Sequence, residues 1–177
     1  MADYNRQRMK MVEQQIRARG VRDELVLTAM NKVHREAFVP EKLHQFAYAD
    51  RPLPIAADQT ISQPYIVAYM VEALALKGGE KVLEIGAGSG YAAAVLAEIA
   101  DQVYTIERIG QLAEKASSAL LDQGYDNVHV LHADGTRGRD EFAPFDAILV
   151  SAGAPSVPES LKAQLATGGR MAVSYTH

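Results

Sequence analysis

Val82-Leu83-Glu84-Ile85-Gly86-Ala87-Gly88-Ser89-Gly90-Tyr91 decides how this chain folds. A short, mainly apolar run stops at a glycine, three glycines alternate with small residues, and Ala92, Val95, Leu96 and Ile99 then recur at helical spacing. That is strand, tight turn, helix. The alternation continues downstream. Val103–Ile106 reads as a second strand ending at Glu107, Leu112–Leu121 as a helix, Val128–Leu131 as a third strand and Phe145–Val150 as a fourth. Val157–Leu165 reads as a helix stopped by Gly168-Gly169, and Met171–Ser174 as the start of a fifth strand. Strands alternating with helices predict an α/β fold, a Rossmann-like, doubly wound and mostly parallel sheet with helices on both faces.

Upstream the texture changes. Met9, Val12 and Ile16, then Leu25, Leu27, Ala29, Met30 and Val33, have helical spacing. Gly20 separates these two helices, and Asp23 is placed to cap the second. The alternate prolines of Arg51-Pro52-Leu53-Pro54-Ile55 favour extended backbone. A further helix starts at Pro64, carries Ile66, Val67, Met70, Val71 and Leu74, and ends at Gly78-Gly79. With no repeat or flexible linker, residues 1–177 read as a single domain. Residues 1–79 form a helical N-terminal region with a loop, and residues 80–177 form the core.

Composition excludes several classes. The 177 residues are 48% hydrophobic and 23% charged, ordinary for a globular chain. A net charge of −4 gives no reason to expect nucleic acid as a partner, and the basic stretch Arg6–Arg22 reads as a solvated helix face. With no cysteine there is no disulfide, thiolate nucleophile or Cys-ligated metal, and no metal site is expected. No apolar run approaches the ~20 residues of a membrane helix, and the N-terminus has no apolar leader. A cytoplasmic monomer is therefore expected.

Ligands of open α/β sheets sit beyond the carboxyl ends of the strands, where Gly86, Ala87, Gly88, Ser89 and Gly90 lie. Glycines there allow a close approach of backbone to ligand. The spacing is G-x-G-x-G, and Tyr91 stands where a dinucleotide turn has its third glycine. A nucleoside without a pyrophosphate fits better. Glu84 in the first strand needs a partner, and the ammonium and sulfonium of S-adenosylmethionine supply one. Glu107 stands about 20 residues on from Gly86, the place of a carboxylate that accepts from ribose hydroxyls. Asp134-Gly135 follows the third strand, where the carboxylate can accept from an adenine amino group. Taken singly, Glu107 reads as a surface acid and Asp134-Gly135 as a turn. In register after successive strands they read as a cofactor site.

Leu83–Tyr91 resembles the first motif of class I methyltransferases. Pro52-Leu53-Pro54-Ile55, Gln59-Thr60-Ile61-Ser62-Gln63-Pro64-Tyr65, Arg35-Glu36-Ala37-Phe38-Val39-Pro40, Ala47-Tyr48 with Asp50, and Pro144–Ile148 resemble the protein-L-isoaspartate O-methyltransferase family, from about residue 9 to Gly169. The resemblance implies transfer of a methyl group from S-adenosylmethionine to the free α-carboxylate of L-isoaspartyl residues in damaged proteins. The ester then leaves through a succinimide. The resemblance places the active-site serine at Ser62 and substrate contacts at Ile55, Thr60 and Ile61. It places cofactor contacts at the Gly86–Gly90 turn, Glu107 and Asp134-Gly135. A carboxylate is already nucleophilic at neutral pH, so Ser62 is expected to orient rather than attack; it also stands where it can cap the helix at Pro64. The family pattern P-I-G-x-G-Q is here Pro54-Ile55-Ala56-Ala57-Asp58-Gln59, so left-handed backbone would strain Ala56 more than Asp58. The family fold continues past Gly169 with further strands, one antiparallel. These C-terminal strands are expected to be missing, which affects turnover more than cofactor binding. Methylation of another carboxylate or small molecule, and a non-catalytic cofactor-binding form, are the alternatives; a dehydrogenase ranks last because of Tyr91.

Overall fold

The structure, a computed structural model, describes residues 3–153 and 156–174. Expectations that touch Tyr175–His177 lie outside the described residues. Helix α1, Tyr4–Met11, starts on Asp3, whose carboxylate accepts from the Arg6 N–H at 3.0 Å. It widens into a π turn over Val12–Ile16, tightens over Arg17–Arg19, and ends at Gly20 with φ +107°. Helix α2, Glu24–Lys32, is capped by Asp23, which accepts from the Leu25 N–H at 2.9 Å. Both boundaries agree with the sequence reading. The 3₁₀ turns Arg35–Phe38 and Glu41–Phe46 that follow are new, because such short segments leave no usable hydrophobic period.

The proline-rich stretch is extended as expected, but it also pairs. Strand β1, Leu53–Pro54, and strand β2, Thr60–Ile61, form an antiparallel hairpin. Its turn is closed by the Gln59 N–H on the Ala56 carbonyl at 3.2 Å and the Ile55 N–H on the Gln59 carbonyl at 2.8 Å. The central residues Ala57 and Asp58 have φ +56° and +54°, as a type I′ turn requires. The strain thus falls on Ala57 and Asp58, and Ala56 escapes it. A left-handed alanine costs about 1 kcal/mol relative to glycine. Ala57→Gly should therefore raise the thermal midpoint by about 2–4 °C, whereas Ala56→Gly should not. Scanning calorimetry on the pair checks this, and equal midpoints would refute it.

Helix α3, Pro64–Ala73, leads into the sheet. Then follow β3 (Lys81–Ile85), α4 (Tyr91–Ala97), β4 (Gln102–Glu107), α5 (Gly110–Asp122), β5 (Val128–His132) and β6 (Phe145–Val150), each within two residues of its expected bounds. Helix α6 is only Glu159–Ala163, and β7 begins early, at Leu165, and runs to Val173. Gly168-Gly169, expected as a stop before this strand, lies inside it. The pairing jumps from Phe145↔Leu165 to Ala147↔Arg170, and Gly168 takes φ +79°, so the glycines absorb an irregularity instead of ending a helix. All five strands are parallel, in the order β5-β4-β3-β6-β7. Among the described residues no antiparallel strand joins this sheet, and β7 is an edge. Met11, Ile16 and Met30 of the N-terminal helices are buried in one cluster with Val82, Leu96 and Val103 of the sheet region. The helical region is therefore packed directly behind the strands that carry the site.

Candidate active site

The chain winds outward from β3 through β4 to β5, then returns to β6 on the other side of β3. The two crossovers diverge there, and a crevice opens above the carboxyl ends of the strands. A cleft of about 490 Å³ occupies that place, closed on its far side by β2 and α3. Its lining includes Thr60, Ile61, Ser62, Glu84, Gly86, Ala87, Gly88, Ser89, Glu107, Asp134 and Gly135. The structure therefore brings nearly all the predicted residues to one cavity.

Each glycine acts differently. Gly86, at φ +94°, donates its N–H to the Ile106 carbonyl at 2.8 Å; a Cβ there would lie 3.1 Å from the Ala152 nitrogen. Gly88, at φ +54°, donates to Glu107 Oε2 at 3.0 Å. Gly90 is not on the wall. A Cβ there would lie 3.2 Å from Leu120 Cδ1, so the glycine lets α4 pack against α5. Ile55 is likewise off the wall; its Cδ1 would stand 3.9 Å from a Cβ on Gly88. At Gly135 a Cβ would come within 2.5 Å of Ile85 Cγ2 on the cleft floor, which only glycine avoids.

Three carboxylates differ in state. Glu107 is buried and accepts from both the Gly88 N–H and, through Oε1 at 2.9 Å, the Ile109 N–H. It pins the glycine turn to the end of β4 and keeps further acceptor capacity toward the cleft. Asp134 is exposed and accepts from the Thr136 N–H at 3.0 Å and hydroxyl at 2.8 Å, which holds its pKa below the usual carboxylate value. Glu84 has no exposure. Its Oε2 accepts from the Thr105 hydroxyl at 2.6 Å, and its Oε1 has no partner among the described residues. Burial, with Glu107 nearby, pushes this carboxyl up to about 8.

The folded protein holds a proton on Glu84 that the unfolded chain has lost above about pH 4.5. The resulting stability is fully present below pH 4.5 and lost as pH rises through about 8. Glu84→Gln should remove this dependence. Thermal midpoints of both proteins at pH 5 and pH 8.5 check it: the variant should gain on the parent at the higher pH, and parallel shifts would refute it.

Ser62 is exposed on the cleft, and its hydroxyl makes no hydrogen bond among the described residues. The capping role is not taken, since α3 has Gln63 as its N-cap and no side-chain cap bond. Sequence reading missed Thr105, the partner of Glu84, and Ser151–Gly153 after β6, which also line the wall. The strand-end rule that singles out Glu107 and Asp134 applies equally to the residues after β6. It also missed Arg35, buried behind the loop, for which charge pattern carries no signal.

Fold and cleft together are those of the Rossmann-like methyltransferases, a class whose cofactor is S-adenosylmethionine. A family profile described as protein-L-isoaspartate(D-aspartate) O-methyltransferase matches residues 6–176. The chain belongs to this family. It is 66% identical over 165 residues to protein-L-isoaspartate O-methyltransferase 1 of Rhodopseudomonas palustris strain HaA2, covering 93% of this chain and 67% of that relative. A second relative, from strain ATCC BAA-98 / CGA009, is 64% identical over 161 residues, covering 91% of this chain and 74% of its own length. A solved protein-L-isoaspartate O-methyltransferase superposes with a TM-score of 0.86 at 32% identity, over 95% of this chain and 55% of that one. The chain thus spans from about half to three quarters of the length of these relatives.

Proposed function

We propose that this chain, acting as one domain, moves a methyl group from S-adenosylmethionine to the free α-carboxylate of L-isoaspartyl residues in damaged proteins. The observation that carries the reading is a juxtaposition. Ser62, on the loop that resembles the family's substrate loop, and Gly86–Ser89 of the glycine turn with Glu84, Glu107 and Asp134 face one cleft.

The residues present fit the cofactor. Glu84 Oε1 is a buried acceptor without a partner, suited to a cationic group. Glu107 is fixed by two N–H groups and retains lone pairs for ribose hydroxyls. Asp134 and Gly135 stand at the end of β5, suited to the adenine edge. When bound, the cofactor supplies a methyl on a sulfonium, which leaves as a neutral thioether. Ser62 then donates to the incoming carboxylate and aligns its oxygen with the methyl carbon. Thr60 and Ile61 hold the segment beside it, and Ile66, Met70 and Leu161 exclude water. No proton is transferred, so the site needs no general base.

The test is an isoaspartyl peptide offered with methyl-labelled cofactor. Label should enter as a base-labile ester, and the matching aspartyl peptide should stay unlabelled. Label in other acceptors but not in the isoaspartyl peptide would overturn the substrate while keeping the class. As a partner we propose only the damaged polypeptide, with no nucleic acid, and we place a monomer in the cytoplasm. Among the described residues no helix is long and apolar enough to cross a membrane.

A further inference from the structure

Arg35 is the largest fully buried side chain, with 0% exposure. No carboxylate lies within 4 Å of it among the described residues and Nη1 has no hydrogen-bond partner, so Tyr91 and, beyond 4 Å, Asp50 offset its charge only in part. A cation in that state is a poor device for stability, which an apolar side chain of similar size would serve as well or better. What the guanidinium does have is direction. Nε donates to the Ala47 carbonyl at 2.7 Å, and Nη2 donates to the carbonyl of Ser62 itself at 2.8 Å. Its carbon stands 4.6 Å from the centre of the Tyr91 ring. Tyr91 is buried, is the first residue of α4 after the glycine turn, and lies edge-on to Phe38 at 5.9 Å.

The three contacts connect opposite walls of the cleft. Ser62 rides on the β2–α3 junction of the substrate loop, and Tyr91 begins the helix behind the cofactor turn. The Ser62 side chain is not tied to the protein, so its position follows from where its own backbone is held. We infer that Arg35 is a positioning residue, which fixes the Ser62 backbone against the helix that follows the glycine turn and so sets the hydroxyl relative to the cofactor side of the cleft. This rests on the proposed role of Ser62. Only a planar fork fits the geometry, because two carbonyls in different directions and a ring face must be met at once. A lysine keeps the charge but not the fork.

Arg35→Lys and Arg35→Met test this by two readouts. The first needs no substrate. Amide hydrogen exchange across Gln59–Val67 should quicken about tenfold in Arg35→Lys while β3 and β4 keep their protection. Unchanged exchange in that segment, or a uniform rise throughout the chain, would overturn the inference. The second is kinetic. Arg35→Lys should lower kcat by about tenfold, with cofactor dissociation constant and peptide KM changed less than about threefold. In a Ser62→Ala background the same substitution should have little further effect on kcat. Equal losses in both backgrounds would mean that Arg35 does not act through Ser62. If Arg35→Met fails to fold, Arg35→Lys carries both readouts. A parent chain that leaves isoaspartyl peptides unmethylated overturns the functional reading, and exchange then decides the role of Arg35 alone.

Discussion

Ser62→Ala should lower methyl transfer by about 100-fold, the loss typical of one donor aimed at a reacting oxygen. Binding of S-adenosylhomocysteine should stay within about threefold, because the change touches alignment and not the cofactor wall. The hydroxyl lies on the cleft, free of any bond within the described residues and free of a capping duty to α3. Removing it therefore leaves no buried group unpaired and should leave the thermal midpoint in place. Single-turnover rates and calorimetric titration on one preparation measure both quantities. A drop in affinity that matches the drop in rate would sink the assignment.

Glu107→Ala should do the reverse, weakening cofactor binding by about 100-fold, as expected for loss of charged hydrogen bonds worth 1.5–3 kcal/mol each. Two consequences add. The acceptor proposed for the ribose is lost, and the N–H groups of Gly88 and Ile109 lose their partner, so the turn is no longer pinned to β4. Glu107→Gln separates these effects, since it retains one carbonyl oxygen at the same place without the charge. It should fall between parent and alanine variant. With saturating cofactor, turnover in Glu107→Gln should recover most of its value. An unchanged dissociation constant in Glu107→Ala would remove Glu107 from the site.

Much of the cleft wall formed by the glycine turn and the strand-end acids was legible in the chain, because it is written in local rules. A strand that stops at glycine, and acids that follow successive strands, put Gly86, Glu107 and Asp134 at the carboxyl end of the sheet whatever the tertiary detail. The bounds of β3 to β6 were legible for the same reason. What was hidden depends on contacts between distant segments. The Thr105 hydroxyl on Glu84 crosses between strands, and the Arg35 guanidinium reaches Ser62 across 27 positions. Gly168-Gly169 was misread because a glycine pair stops a helix or loosens a strand equally well; only pairing with β6 decides between them. The turn at Ala57-Asp58 shows the same limit. Its pairing fixes which residues carry positive φ, and the side chains there do not announce it.

Burial favours the protonated form of Glu84, whose Oε1 has no partner among the described residues, and a sulfonium with its ammonium brought alongside would drive that proton off. Loading and deprotonation then become a single linked equilibrium. Affinity should climb as pH rises toward about 8, until the ligand's own ammonium begins to lose its proton. By reciprocity, the acidity of Glu84 reports occupancy. Heats of binding measured in buffers of different ionisation enthalpy would carry a released proton as a slope, which Glu84→Gln should flatten. The pH of the surroundings would then set how full the cleft is before any substrate arrives.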